Sequence, residues 1–213
     1  MTRKLDALLR DIRACRICQE HLPLGPNPVL RACATARILV VGQAPGTKVH
    51  ATGIPWNDAS GERLRAWMDI DRDMFYDESR IAIVPMGFCY PGRGRGGDNP
   101  PRPECARAWH PQLMPLLKHV HLTLLIGQYA QAYFLRERRK DSLTATVRAF
   151  TEYLPAYLPM VHPSPRNQGW LKRHAWFERE LIPVLRERVR ALLQTITRSA
   201  AAGPAQLPHR CRR

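Results

Sequence analysis

Two short segments hold residue types suited to chemistry. In His162-Pro163-Ser164-Pro165-Arg166-Asn167 an imidazole is followed by two prolines, whose fixed φ leaves the segment little freedom. A histidine held this way can exchange a proton near neutrality, or aim one N–H at negative charge as it develops. Gly42-Gln43-Ala44-Pro45-Gly46 combines glycines, which let backbone amides approach a ligand, with a proline that stiffens the turn. As a bare pentapeptide it also fits an ordinary strand-to-helix turn. Thr52-Gly53-Ile54-Pro55-Trp56 adds an aromatic ring that is either core or a stacking face beside a site. The cysteines form a third group: Cys15 and Cys18 make a C-x2-C pair, and 15 residues separate Cys89 from Cys105. Six cysteines in 213 residues are too few for a disulfide scaffold, so clustered thiols point to a metal.

These groups need a scaffold that brings distant segments together. Four short apolar runs, at 37–41, 81–84, 122–126 and 157–161, are each bounded by turn residues. Helical patterns lie between them at 60–70, 103–118 and 128–138, as expected for strands buried on both faces of a parallel sheet. Pro159 marks the fourth run as an edge strand. Leu5, Leu8, Leu9 and Ile12 recur at helical spacing, predicting a helix over 3–14 that leads into the first cysteine pair. A last helix is expected over 173–195, carrying Trp176, Phe177, Leu181, Val184, Leu185 and Val189 toward the sheet. Residues 91–103, rich in glycine, proline and arginine, suit neither a helix nor a central strand and read as a basic loop after the second strand. In open parallel sheets ligands bind at the carboxyl ends of the strands. Both chemistry-bearing loops fall there.

Lys plus Arg number 33 against 18 Asp plus Glu, a net charge of +15. Such an excess suits a partner bearing many phosphates, since counterion release favours binding whatever the sequence, although basic surfaces also arise for solubility alone. The length and 45% hydrophobic content fit one domain over 1–197, with 198–213 a disordered basic tail. No run approaches 18 apolar residues and the N-terminus lacks a secretory apolar segment, so a cytoplasmic monomer without membrane contact is expected.

The set Gly42-Gln43-Ala44-Pro45-Gly46, Gly53, Pro55-Trp56, Gly61, Leu125-Ile126-Gly127-Gln128 and His162-Pro163-Ser164-Pro165 resembles the uracil-DNA glycosylase superfamily. It is most similar to the branch that carries an iron–sulfur cluster and a Gly-Glu-Ala-Pro-Gly first motif. The resemblance implies a three-layer αβα fold around a four-stranded parallel sheet, DNA as partner, and hydrolysis of the bond between a flipped, deaminated base and its sugar. It implies that His162 hydrogen-bonds the base oxygen, that backbone at Gly42, Gln43 and Ala44 holds the base, and that Trp56 stacks on it. Arg166 is expected to plug the duplex gap or to contact phosphate, with Ser164, Asn167, Arg93, Arg95 and Arg102 on the DNA side. Cys15, Cys18, Cys89 and Cys105 resemble the ligands of a 4Fe-4S cluster, with structural zinc the alternative, since four cysteines suit either metal.

Two positions depart from the pattern. Relatives that position water with a first-loop aspartate have it where Ala44 stands here, which leaves Gln43, Asp58 or His50 as candidates. Uracil-excising relatives carry a base-reading asparagine where Pro85 stands, and proline donates no hydrogen bond. A different damaged base is one implication, and a DNA-binding protein that keeps the fold without catalysis is the other.

Overall fold

The side chains of the four apolar runs divide cleanly between two cores, and that division builds the layers. A computed structural model describes residues 2–200. In it β1 (Ile38–Val41), β2 (Ile81–Ile83), β5 (Leu122–Ile126) and β6 (Tyr157–Met160) form one parallel sheet in the order β2-β1-β5-β6. Successive residues of a strand point to opposite faces. Ile38, Val40, Leu122, Leu124 and Ile126 belong to one buried cluster, and Leu39, Val41 and Leu125 to the other.

The short α2 (Thr47–Thr52) follows the loop after β1. The first core is covered by α3 (Ala59–Met68), α4 (Arg72–Tyr76), α8 (Leu143–Arg148) and α10 (Ile182–Ala200). The second is covered by α1 (Thr2–Arg13), α5 (Pro103–Ala108), α6 (His110–Leu113) and α7 (Gln128–Leu135). The three-layer αβα architecture is therefore as expected. Pro159 lies on β6, which among the described residues pairs only with β5 and so is an edge, where a missing N–H costs least.

Differences from the sequence expectation occur where prolines interrupt helices. The stretch 103–118 divides into α5, α6 and a 3-10 turn at Met114–Leu116, because Pro111 and Pro115 each start a new segment. The last helix divides too: α9 (Gln168–Arg173) ends at His174, and a π turn at Phe177–Leu181 precedes α10, where Pro183 lacks the N–H that an α ladder requires. Residues 91–103 include a small antiparallel ribbon, β3 (Arg93–Gly94) with β4 (Gly97–Asp98), separate from the main sheet. α10 continues to Ala200, and the rest of the expected tail lies outside the described residues. Among the described residues no helix is long and apolar enough to cross a membrane.

Candidate active site

The carboxyl ends of the strands open into a cleft of about 390 Å³. The loop after β1 contributes Gly42, Gln43 and Ala44; the loop after β6 contributes His162, Ser164, Arg166 and Asn167. Trp56 and Pro85 complete the walls named from sequence, so the two loops and the aromatic do converge. Gly42 and Gln43 continue the β1–β2 pairing past the strands, their carbonyls accepting from Met86 N–H at 3.0 Å and Gly87 N–H at 2.8 Å. That pairing fixes the first loop relative to Pro85.

Trp56 is locked from several sides. Its backbone has φ 57°, a conformation L side chains rarely adopt. A Cβ on Gly42 would lie 2.8 Å from the indole Cζ2, and a Cβ on Gly61 would lie 1.8 Å from the Trp56 carbonyl oxygen. Gly42 and Gly61 thus make room for Trp56 itself. Arg65 Nη1 donates to the Trp56 carbonyl at 3.3 Å, and the Tyr76 hydroxyl donates to the Pro55 carbonyl at 2.8 Å. The indole packs against the first core and also stacks on the His162 ring, with centroids 5.4 Å apart and planes at 28°.

His162 is held in one tautomer. The Ser164 N–H donates to Nδ1 at 3.2 Å, so the neutral ring carries its hydrogen on Nε2. Asn167 Nδ2 donates to the His162 carbonyl at 2.8 Å, closing the loop on itself. Burial pushes the imidazole down to about 4, against the pull of the Asp58 carboxylate, which favours the charged form. A neutral ring with a free Nε2–H is a donor to an oxygen gaining negative charge.

A second histidine supports the wall opposite. His110, fully buried on α6, bonds the Pro85 carbonyl through Nε2 at 3.0 Å and stacks on Phe88; burial pushes it down to about 4 as well. Pro85 therefore turns its carbonyl into the protein rather than presenting an amide to the cleft. An unfolded imidazole titrates near 6.5. Between that value and about 4 the unfolded chain binds the proton more readily, so stability is full above about pH 6.5 and falls as pH drops through this window. For buried His110 alone the shift corresponds to about 3 kcal/mol. Urea unfolding at neutral pH and near pH 4.5 measures this, and an unchanged midpoint would contradict the burial of His110.

The structure separates the candidate water-positioning groups. His50 lies outside the cleft, its ring 6.3 Å from that of Tyr90. Asp58 lines the cleft but caps α3, its Oδ1 accepting the Gly61 N–H at 2.9 Å. The Gln43 amide lies against Gly127, where a Cβ would be 2.9 Å from Nε2. Arg166 does not stand free: Nη1 donates to the Gly96 carbonyl at 3.2 Å, tying the histidine loop to the β3–β4 ribbon. Arg93 and Arg95 are exposed on the ribbon outside the cleft wall, and Arg102 is paired with Glu104. The ribbon also supplies Asp98 and Asn99 to the cleft, which sequence reasoning treated only as part of a basic loop.

Cys15, Cys18, Cys89 and Cys105 carry free thiols, the last three buried. They are close enough to influence one another's ionisation; burial first, then the neighbouring thiols, pushes Cys89 up to about 11 and Cys105 up to about 12. Among the described residues no three His, Cys, Asp or Glu side chains form a ready-made site for a single ion.

The family model described as the Uracil DNA glycosylase superfamily matches residues 31–186. The matched stretch contains all four strands of the main sheet, both cleft loops, Trp56 and Pro85. The chain belongs to the uracil-DNA glycosylase superfamily, and with it to the DNA glycosylases in general.

Proposed function

We propose that this protein excises a deaminated base, uracil foremost, from DNA by hydrolysing its N-glycosidic bond. The observation that carries the reading is the His162 ring, fixed with Nε2–H free and stacked on Trp56 in one cleft. A base flipped into that cleft meets the backbone of the first loop and an aromatic face that replaces its lost stacking partners. As the bond to the sugar stretches, the base becomes anionic and accepts from His162 Nε2–H. Pro85 removes the amide by which relatives read uracil, so the range of bases is expected to extend beyond uracil. Incubating the protein with duplexes carrying uracil, hypoxanthine or xanthine, then cleaving with alkali, tests the reading: strand scission at one of these bases supports it. The second reading, a DNA-binding protein without catalysis, is favoured by Ala44 and Pro85, and is what salt-dependent binding with no scission would leave.

The four gathered thiols support a 4Fe-4S cluster as structural cofactor. A single zinc needs four ligands converging at about 2.3 Å, whereas the corners of a cluster take one thiolate each and so suit ligands that surround a space. Cys15, Cys18, Cys89 and Cys105 would hold it, joining the segment after α1 to the ribbon. Bound there, it would supply rigidity, and no step of base release passes through it. The protein should purify brown, absorbing near ~400 nm, and lose thermal stability when the iron is stripped. A colourless zinc protein, or a folded metal-free one, would overturn this assignment.

A further inference from the structure

Two carboxylates line the cleft among the described residues, Asp58 and Asp98. Asp58 already caps α3 through the Gly61 N–H. Asp98, on β4, is exposed at the cleft, and its carboxylate has no hydrogen bond or ion pair among the described residues, although Arg93 stands opposite it across the ribbon. Its Oδ2 lies 3.5 Å from the place a Cβ on Gly46 would occupy. Gly46 ends the first loop, two residues beyond Ala44, where the acid-bearing relatives keep their carboxylate.

An unpaired carboxylate here is otherwise costly. The chain carries a net charge of +15, and a cleft that receives a phosphate backbone loses affinity for every negative charge it retains. The neighbouring amides cannot do the work of an acid: Asn99 donates to the Pro91 carbonyl at 3.2 Å, Gln43 packs on Gly127, and neither side chain can take a proton. The Arg166 bond to the Gly96 carbonyl ties the ribbon to the histidine loop, and so fixes Asp98 relative to His162.

We propose that Asp98, carried by the ribbon, is the catalytic residue that holds and deprotonates the attacking water. The proposal rests on the glycosylase reading. Water oxygen bonds to C1′ of the sugar as the C1′–N bond breaks, and the bonding pair leaves with the base. The base oxygen accepts the hydrogen bond from His162 Nε2–H, and the proton lost by water passes to the Asp98 carboxylate. The departed base anion then takes a proton from solvent, and Asp98 returns its own to solvent. The same negative charge stabilises the cationic sugar before the water bond is complete.

The test is single-turnover release of whichever base the wild-type protein removes fastest, for Asp98→Asn and Asp98→Ala, with affinity for the same duplex measured alongside. Rates should fall by about 10²- to 10⁴-fold, with affinity equal to wild type or tighter. Added formate should restore part of the Asp98→Ala rate and leave the wild-type rate unchanged. An Asp98→Asn rate within about threefold of wild type, or an alanine variant that binds DNA but gains nothing from formate, would overturn the proposal alone. A wild-type protein that releases no base would overturn the glycosylase reading and this proposal with it.

Discussion

Replacing His162 with alanine should lower the rate of base release by about 10²- to 10³-fold, while duplex affinity stays within about threefold. The size follows from what the ring does. Its Nδ1 is occupied by the Ser164 N–H, so the only hydrogen it can offer is on Nε2. That donor is fixed before the base arrives and costs no reorganisation when charge develops, which is where such donors are worth most. The binding term is small because burial holds the ring near 4 and hence neutral at pH 7; it neutralises no phosphate. The same value predicts that wild-type activity persists as pH falls from 7 toward 5. Alkali-developed strand scission under single-turnover conditions, with fluorescence anisotropy for binding, separates the two effects. A loss below tenfold would remove His162 as the donor, and a parallel loss of affinity would make it a DNA contact.

The two loops were legible in the sequence because their conformation depends on local chain chemistry. Glycine and proline at 42, 45, 46, 163 and 165 dictate turns, and four apolar runs dictate a buried parallel sheet, so the loops had to meet at its carboxyl edge. Contacts made across the fold were not legible. Gly42 read as permissive backbone and Gly61 only as part of a family pattern, but each is small because Trp56 occupies the adjacent space. Trp56 read as either core or a stacking face beside a site, and only the fold shows that it packs on the first core and on the His162 ring at once. Arg166 read as a free cation, and only the folded ribbon reveals its Gly96 partner. Asp98 was hidden for the same reason. Among two arginines and four glycines in 91–98, charge counting averaged one acid away, whereas the ribbon turns that acid toward Gly46.

Gly61→Ala should be the most damaging single-methyl change in the site. The added carbon would stand 1.8 Å from the Trp56 carbonyl oxygen, 2.6 Å from its carbon and 2.9 Å from its Cβ. Two of those atoms are backbone, and that backbone is already at φ 57° and tied to Arg65, so no rotamer change relieves the overlap. Overpacking of this kind costs about 3 kcal/mol, a fall in Tm of about 10 °C for a chain of this size. Gly42→Ala makes the informative contrast. Its Cβ meets the indole edge at 2.8 Å, and a side-chain ring can move where a carbonyl cannot. Its stability cost should be nearer 1 kcal/mol, but the ring that moves is the one stacked on His162. Base release by Gly42→Ala should therefore fall more than tenfold at temperatures where the protein is fully folded. Thermal unfolding beside single-turnover rates for both variants tells packing from chemistry: equal losses of stability, or a Gly42→Ala protein with wild-type rates, would show that the Trp56–His162 stack supports the fold and not the reaction.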